Sequence, residues 1–210
     1  MRLFTFIFLS FSIAFTAIGQ SDDAEFAEYG TTLSISPFGP GLSLTYNVDT
    51  KNSISAAFGF SPEVSAPAAL LPDFESSSYS VNGTSSWMGV FWRHRPFENQ
   101  NIGFNLGMAS GQIENNLEDD ADDHLTYSVN YTENPVMYLG VNYGSKPVKG
   151  LQFGIELGVL STGGATVQYS GHEEEMEFHE EEIEAAIDDI KSKFAWSMLP
   201  NLQLSVSYGF

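Results

Sequence analysis

The sequence predicts an all-β protein: a closed antiparallel up-and-down transmembrane β-barrel of about eight strands, with one helix in its last long loop. Three observations predict it. Apolar and small polar residues alternate with a period of two in segment after segment, as in "NLQLSVSYGF" at 201–210. The polar faces carry Gly, Ser, Asn and Gln rather than Lys or Glu, which suits the crowded interior of a narrow closed barrel. The connections alternate short and long, as the turns at the two ends of a membrane barrel do. A secreted β-sandwich is the competing fold, because its core needs similar alternation.

The chain opens with "MRLFTFIFLSFSIAFTAIGQ". One Arg precedes an apolar run from Leu3 to about Phe15, and small residues follow. This is the layout of a secretory signal peptide over 1–20, leaving a barrel domain at 21–210. An N-terminal anchor is the alternative, but the run is short for a spanning helix and acidic "SDDAEFAE" comes next. No later stretch approaches the roughly 20 consecutive apolar residues of a transmembrane helix.

The first strand is expected within 25–36, with Tyr29, Thr31, Leu33 and Ile35 on one face. "PFGP" then makes a tight turn into a strand at 41–48, where Leu42, Leu44, Tyr46 and Val48 share a face. One long strand over 29–48 with a bulge is the alternative. "SISAAFGF", "NIGFNLGMAS", "MYLGVNYG" and "LQFGIELGVL" alternate in the same way, and a further strand runs into "FWRHRPF". The short links are 48–52, 95–101 and 145–150, and the long ones about 62–79, 115–131 and 163–199. Aromatic residues near strand ends (Tyr46, Phe60, Trp87, Trp92, Tyr143, Trp196, Tyr208, Phe210) suit interfacial girdles.

Charge narrows the possible partners. The 210 residues include 8 Lys and Arg against 27 Asp and Glu, for a formal net charge of -19. That excludes nucleic acid as an expected partner, since phosphates need cations. It is compatible with small cationic solutes or divalent cations at acidic loops. No Cys is present, so thiolate metal sites and disulfides are excluded. No cofactor is expected.

These segments together resemble a known class. The leader, the alternating segments and the terminal "YGF" resemble small outer-membrane β-barrels of Gram-negative envelopes. "FGPGLSLTYNV", "FWRHRPF", "GFNLGMASG", "YLGVNYG", "FGIELGVL" and "LPNLQLSVSYGF" look like the OmpW and ornithine-channel (CarO-like) type. The resemblance implies an outer-membrane location, with lipid around the barrel. It also implies that Tyr208 and Phe210 form the sorting signal read by the barrel-insertion machinery.

Parity places three charges inside such a barrel: Glu28, Arg93 and Glu156. Buried charges must pair, and Arg93 is expected to meet Glu156 across the lumen. His172, Glu174 and His179 could hold a divalent metal, although no EF-hand or H-E-x-x-H spacing appears. Ile183, Ile187, Ile190 and Phe194 make one stripe of a helix over about 174–194, with acids before it and Lys191 and Lys193 closing it. That stripe packs on the barrel rim, on another loop or on a partner.

No Ser sits beside a base with an orienting acid, so hydrolase chemistry is not expected. The expected function is a non-enzymatic barrel that passes or binds small, preferably cationic, solutes. The alternative is a non-conducting structural barrel that displays acidic loops to a partner.

Overall fold

The computed structural model describes residues 25–97, 99–121, 125–131, 135–171 and 180–210. The expected signal peptide lies outside the described residues, as do His172, Glu174 and His179.

Among the described residues ten strands form one antiparallel sheet: β1 (Tyr29–Ser36), β2 (Gly39–Asn47), β3 (Asn52–Ser65), β4 (Tyr79–His94), β5 (Ile102–Asp119), β6 (Thr126–Tyr131), β7 (Val136–Tyr143), β8 (Gly150–Ser161), β9 (Thr166–Tyr169) and β10 (Met198–Gly209). Eight of them close into a ring in the order β1, β2, β3, β4, β5, β7, β8, β10 and back to β1. β6 and β9 lie outside the ring, β6 on β5 and β9 on β6. The expected barrel is therefore present, and 29–48 is two strands rather than one bulged strand.

Alternation builds the wall. Leu33, Leu44, Phe58, Met88, Val90, Leu139 and Leu157 stand outward and are more than half exposed. Water tolerates no such continuous belt, because exposed apolar patches on soluble monomers stop at a few hundred Å². Lipid is the solvent that suits it. At the short-turn end Tyr29, Tyr46, Tyr143, Tyr208 and Phe210 face outward in a girdle.

Strand length departs from expectation. β5 has 18 residues, about 60 Å at roughly 3.4 Å each. Even tilted, it exceeds the roughly 30 Å hydrocarbon core. The segments read as long loops are thus partly strand: β3, β4 and β5 continue beyond the belt, and β6 and β9 extend them sideways. The cause is a second alternation. Tyr79, Val81, Leu117, Tyr127, Val129, Tyr131 and Val167 face one side and are buried together.

The helix α1 (Glu180–Lys193) covers that face. Ile183 and Ile190 are buried, Ile187 and Phe194 pack against the cluster, and Ala186 joins them. Tyr131 Oη donates to the Phe194 carbonyl at 3.1 Å. The apolar stripe therefore folds back on the chain's own extension, leaving acidic residues outward.

At the short-turn end, Asp49 Oδ1 accepts from the Lys51 and Asn52 amides at 2.6 and 2.7 Å, an Asx turn between β2 and β3. The Asn52 side chain and these amides hold the Asp49 carboxyl below its usual pKa. Gly39, with φ +87, makes the tight turn into β2.

Candidate functional site

The lumen is built from the inward-facing residues of the ring. It contains a cavity of about 120 Å³. Its layers run from the short-turn end upward.

The floor is Arg95, 2% exposed. Its Nε donates to the Ser145 carbonyl at 3.1 Å and its Nη1 to Ser53 Oγ at 2.6 Å. Ser53 Oγ in turn donates to Asn47 Oδ1 at 2.7 Å. Among the described residues no carboxylate lies within ion-pair distance of Arg95. Beside it the segment at 25–27 joins the β7–β8 turn: Ala27 N donates to the Pro147 carbonyl, Lys149 N to that of Glu25. That strap passes so close to Gly209 that a Cβ there would strike the Val148 carbonyl.

Above the floor sits the charged network. Arg93 Nη2 lies 3.1 Å from Glu156 Oε2, and Arg93 Nε donates to Asn105 Oδ1 at 2.7 Å. Asn105 Nδ2 donates to the same Glu156 oxygen. Tyr138 Oη donates to Glu156 Oε1 at 2.6 Å and accepts from Asn201 Nδ2 at 3.2 Å. Five of the eight ring strands (β4, β5, β7, β8 and β10) thus contribute one side chain each. The carboxylate is fully hydrogen-bonded, which is what allows it to be buried. With Arg95, the lower lumen holds two guanidinium groups against one carboxylate.

Glu28 is not part of this network. The chain bends at Glu28 before β1 starts, and Ala27 takes the buried inward position. Glu28 is left exposed at the rim. Parity counted from β1 fails there because the 25–28 segment is turned by the strap to 147–149.

Higher still, three rings descend one wall. Trp87 and Phe91 meet edge to face at 6.5 Å, and Phe91 and Tyr138 at 5.6 Å. Trp87 is therefore a lumen residue and not a girdle residue. Glycines make room for the rings: a Cβ on Gly59 would stand 2.6 Å from the Trp87 indole, and one on Gly107 or Gly158 would strike Phe91 or Tyr138. Trp87 Nε1 donates to the Phe38 carbonyl at 3.2 Å, and so does Ser85 Oγ at 2.9 Å. The remaining wall is hydroxyl-rich, with Thr32, Ser43, Thr45, Ser55 and Ser205 lining the cavity.

The ring ladder, Asn105, Asn201 and Arg95 were not among the expected site residues. In "WMGVFWRH" Trp87 and Phe91 share the parity of Arg93, so the count that places Arg93 in the lumen places them there too, whereas aromatic character alone suggests a girdle. The glycines opposite the rings were the available signal.

At the loop end a clasp ties α1 to the β3–β4 connection. Asp189 Oδ2 accepts from the Glu75 amide at 2.7 Å and the Ser76 amide at 3.1 Å. Lys193 Nζ lies 3.1 Å from Asp189 and 3.2 Å from Glu75. Burial alone would raise the Asp189 carboxyl, but the Ser76 amide, Lys193 and the Glu75 amide outweigh it and lower its pKa. Burial works against the Lys193 charge, but Asp189 and Glu75 raise its pKa overall. Among the described residues no cluster of three or more metal-ligating side chains occurs.

No protein-family model matches the sequence, and no curated protein matches it. Solved structures do. CarO of Acinetobacter baumannii is similar with a TM-score of 0.64 at 16% identity, over 86% of this chain and 97% of that one. CarO2 of the same organism gives 0.63 at 14%, over 89% and 100%. A major outer membrane protein of Thermus thermophilus gives 0.50 at 12%, over 87% and 99%. The likeness is one of fold: the chain has the fold of a CarO-like outer-membrane β-barrel.

Proposed function

We propose that this chain is an integral outer-membrane barrel whose lumen is a narrow path for small solutes, held shut near its periplasmic end by the Arg93–Glu156 network. One observation carries the reading. An apolar belt encloses a polar lumen, and that lumen is crossed by an ion pair between half-buried Arg93 and buried Glu156, with every carboxylate oxygen hydrogen-bonded. A purely structural core of this size needs no ion pair, since apolar residues of similar volume serve as well.

On this reading the short turns face the periplasm and the α1 extension faces outward. The acidic loop end would gather cations at the mouth, while the two guanidiniums below would resist their passage. Tyr208 and Phe210, outward on the last strand, would serve the insertion machinery as the sorting signal.

Planar-bilayer recording of the wild type and E156Q tests the gate. The wild type should open rarely, and E156Q, which leaves Arg93 without its counter-charge, should open more often or more widely. Equal conductance in two equally folded proteins would overturn the gate. Liposomes that swell with neither protein would overturn the solute path.

A second reading is favoured by a different observation. The loop-end extension has its own hydrophobic core under α1, more than a gate requires. A non-conducting barrel that displays this acidic extension to a partner would need such a core.

A further inference from the structure

The upper lumen has two unlike walls. Along β4 and β7 run the rings of Trp87, Phe91 and Tyr138, each backed by glycine. With glycine behind the ring, Trp87 and Phe91 lie along the wall and line the cavity without blocking it. In the ring order β10 stands opposite β4, and β2 opposite β7. Those strands present hydrogen-bonding groups to the same cavity: Asn201 and Gln203 from β10, Ser43 from β2.

Several of those groups are unspent. Asn201 is 7% exposed, and its Oδ1 finds no hydrogen-bond partner among the described residues. A buried amide oxygen in that state is costly unless something donates to it. Its amide nitrogen is fixed on Tyr138, so the free oxygen stands at the foot of the ring ladder. Trp87, Phe91, Asn201, Gln203 and Ser43 are uncharged, and the Arg93 and Glu156 that line the cavity below them pair with each other.

We propose that the upper lumen binds one neutral polyhydroxylated ring at a time, a monosaccharide or one end of a disaccharide, as the solute of the path described above. The C–H face of a pyranose is apolar and stacks on an aromatic ring, while its hydroxyls radiate at the rim and both donate and accept. Trp87 supplies the stacking face, with Phe91 set edge to face beside it. Asn201 Oδ1, Gln203 and Ser43 supply the hydrogen bonds. A charged solute gains little here, since the two charges that line the cavity, Arg93 and Glu156, pair with each other. The proposal rests on the lumen being open to solutes, as the solute-path reading requires.

The test uses the full mature barrel folded in detergent, with W92F and W196F introduced so that Trp87 alone reports. Trp92 and Trp196 are exposed on the outside, so their loss leaves the lumen intact. Glucose, maltose and arginine are titrated while indole emission is followed. The expected result is a saturable change with at least one sugar, half-complete at about 1–10 mM, the weak end of ligand recognition, and none with arginine. N201L, and separately S43A with Q203A, should weaken the response several-fold in barrels that keep heat-modifiable migration. No saturable change with either sugar, an equal response in all variants, or a response to arginine alone would overturn the site. Liposome swelling separates the two readings. Swelling without sugar binding keeps the path and removes the sugar site, whereas binding without swelling keeps the site and removes the path.

Discussion

Tyr29 and Phe210 exchange two backbone hydrogen bonds, 3.2 Å from Tyr29 N to the Phe210 carbonyl and 2.9 Å from Phe210 N to the Tyr29 carbonyl. Their rings stack at 6.2 Å, and Tyr46 joins at 5.5 Å from Tyr29. The last residue of the chain thus fastens the seam where β10 closes on β1. Deleting Phe210 removes both bonds and the ring contact. We expect a loss of about 2–4 kcal/mol, from about 1 kcal/mol per hydrogen bond and a similar ring term. F210A keeps the backbone bonds and should lose about half as much. Urea unfolding of barrels refolded in vesicles measures both, and equal stability of wild type and deletion would contradict the seam role.

Glu156 and Arg93 should couple strongly. Removing one partner of a buried pair typically costs about 3–5 kcal/mol, while replacing both with apolar residues is close to neutral. R93M and E156M should therefore each destabilise the barrel far more than R93M/E156M together. A double-mutant cycle by urea denaturation measures the coupling. Additive single effects would mean that the 3.1 Å contact carries no energy.

The ring ladder depends on its glycines. G107A would drive a methyl into Phe91, and G158A into Tyr138. Overpacking of this kind costs about 1–3 kcal/mol. G158A should also disturb the Tyr138–Glu156 bond and so raise channel opening, whereas G107A should lower stability alone. Bilayer recording beside urea denaturation separates the two effects.

The Asp189 clasp should respond to acid. Its carboxyl is held below the ordinary value of 3.8, so the ionised form is the one stabilised by folding. That contribution is present above the ordinary value and is lost as pH falls through the lowered one. Lys193 and Glu75 face the same group. Below about pH 4, hydrogen exchange in α1 should accelerate while the barrel wall stays protected. D189N should show the fast exchange at pH 6 already. A wild-type helix equally protected at pH 3 and pH 6 would remove the clasp.

The loop-end core and the barrel should fail separately. Ile190 is fully buried beneath α1, and truncating such a residue costs about 2–5 kcal/mol. I190A should open 180–197 to protease yet keep the heat-modifiable migration of a closed barrel. Loss of that migration would show that the extension and the ring fold as one unit.

The sequence by itself determined the barrel. Period-two alternation such as Leu202, Leu204, Val206 and Tyr208 against Gln203, Ser205 and Ser207 is a local property, and it places one face in lipid and the other in a polar lumen without reference to any partner strand. The helix stripe at Ile183, Ile187 and Ile190 was legible for the same reason. Parity also carried Arg93 and Glu156 into the lumen, but it misplaced Glu28, because a bend ahead of β1 resets the count. Tertiary structure alone decided the rest. Arg93 and Glu156 are 63 residues apart, and whether they meet depends on ring closure and stagger. Trp87 and Phe91 share the inward parity of Arg93, but the room their rings need comes from Gly59 and Gly107 on neighbouring strands, a condition that one strand's own sequence does not contain. β6 and β9 pair outside the ring, where Leu117, Tyr127 and Val167 share a core that α1 covers. Alternation is written along the chain, whereas closure, stagger and ring packing arise between strands.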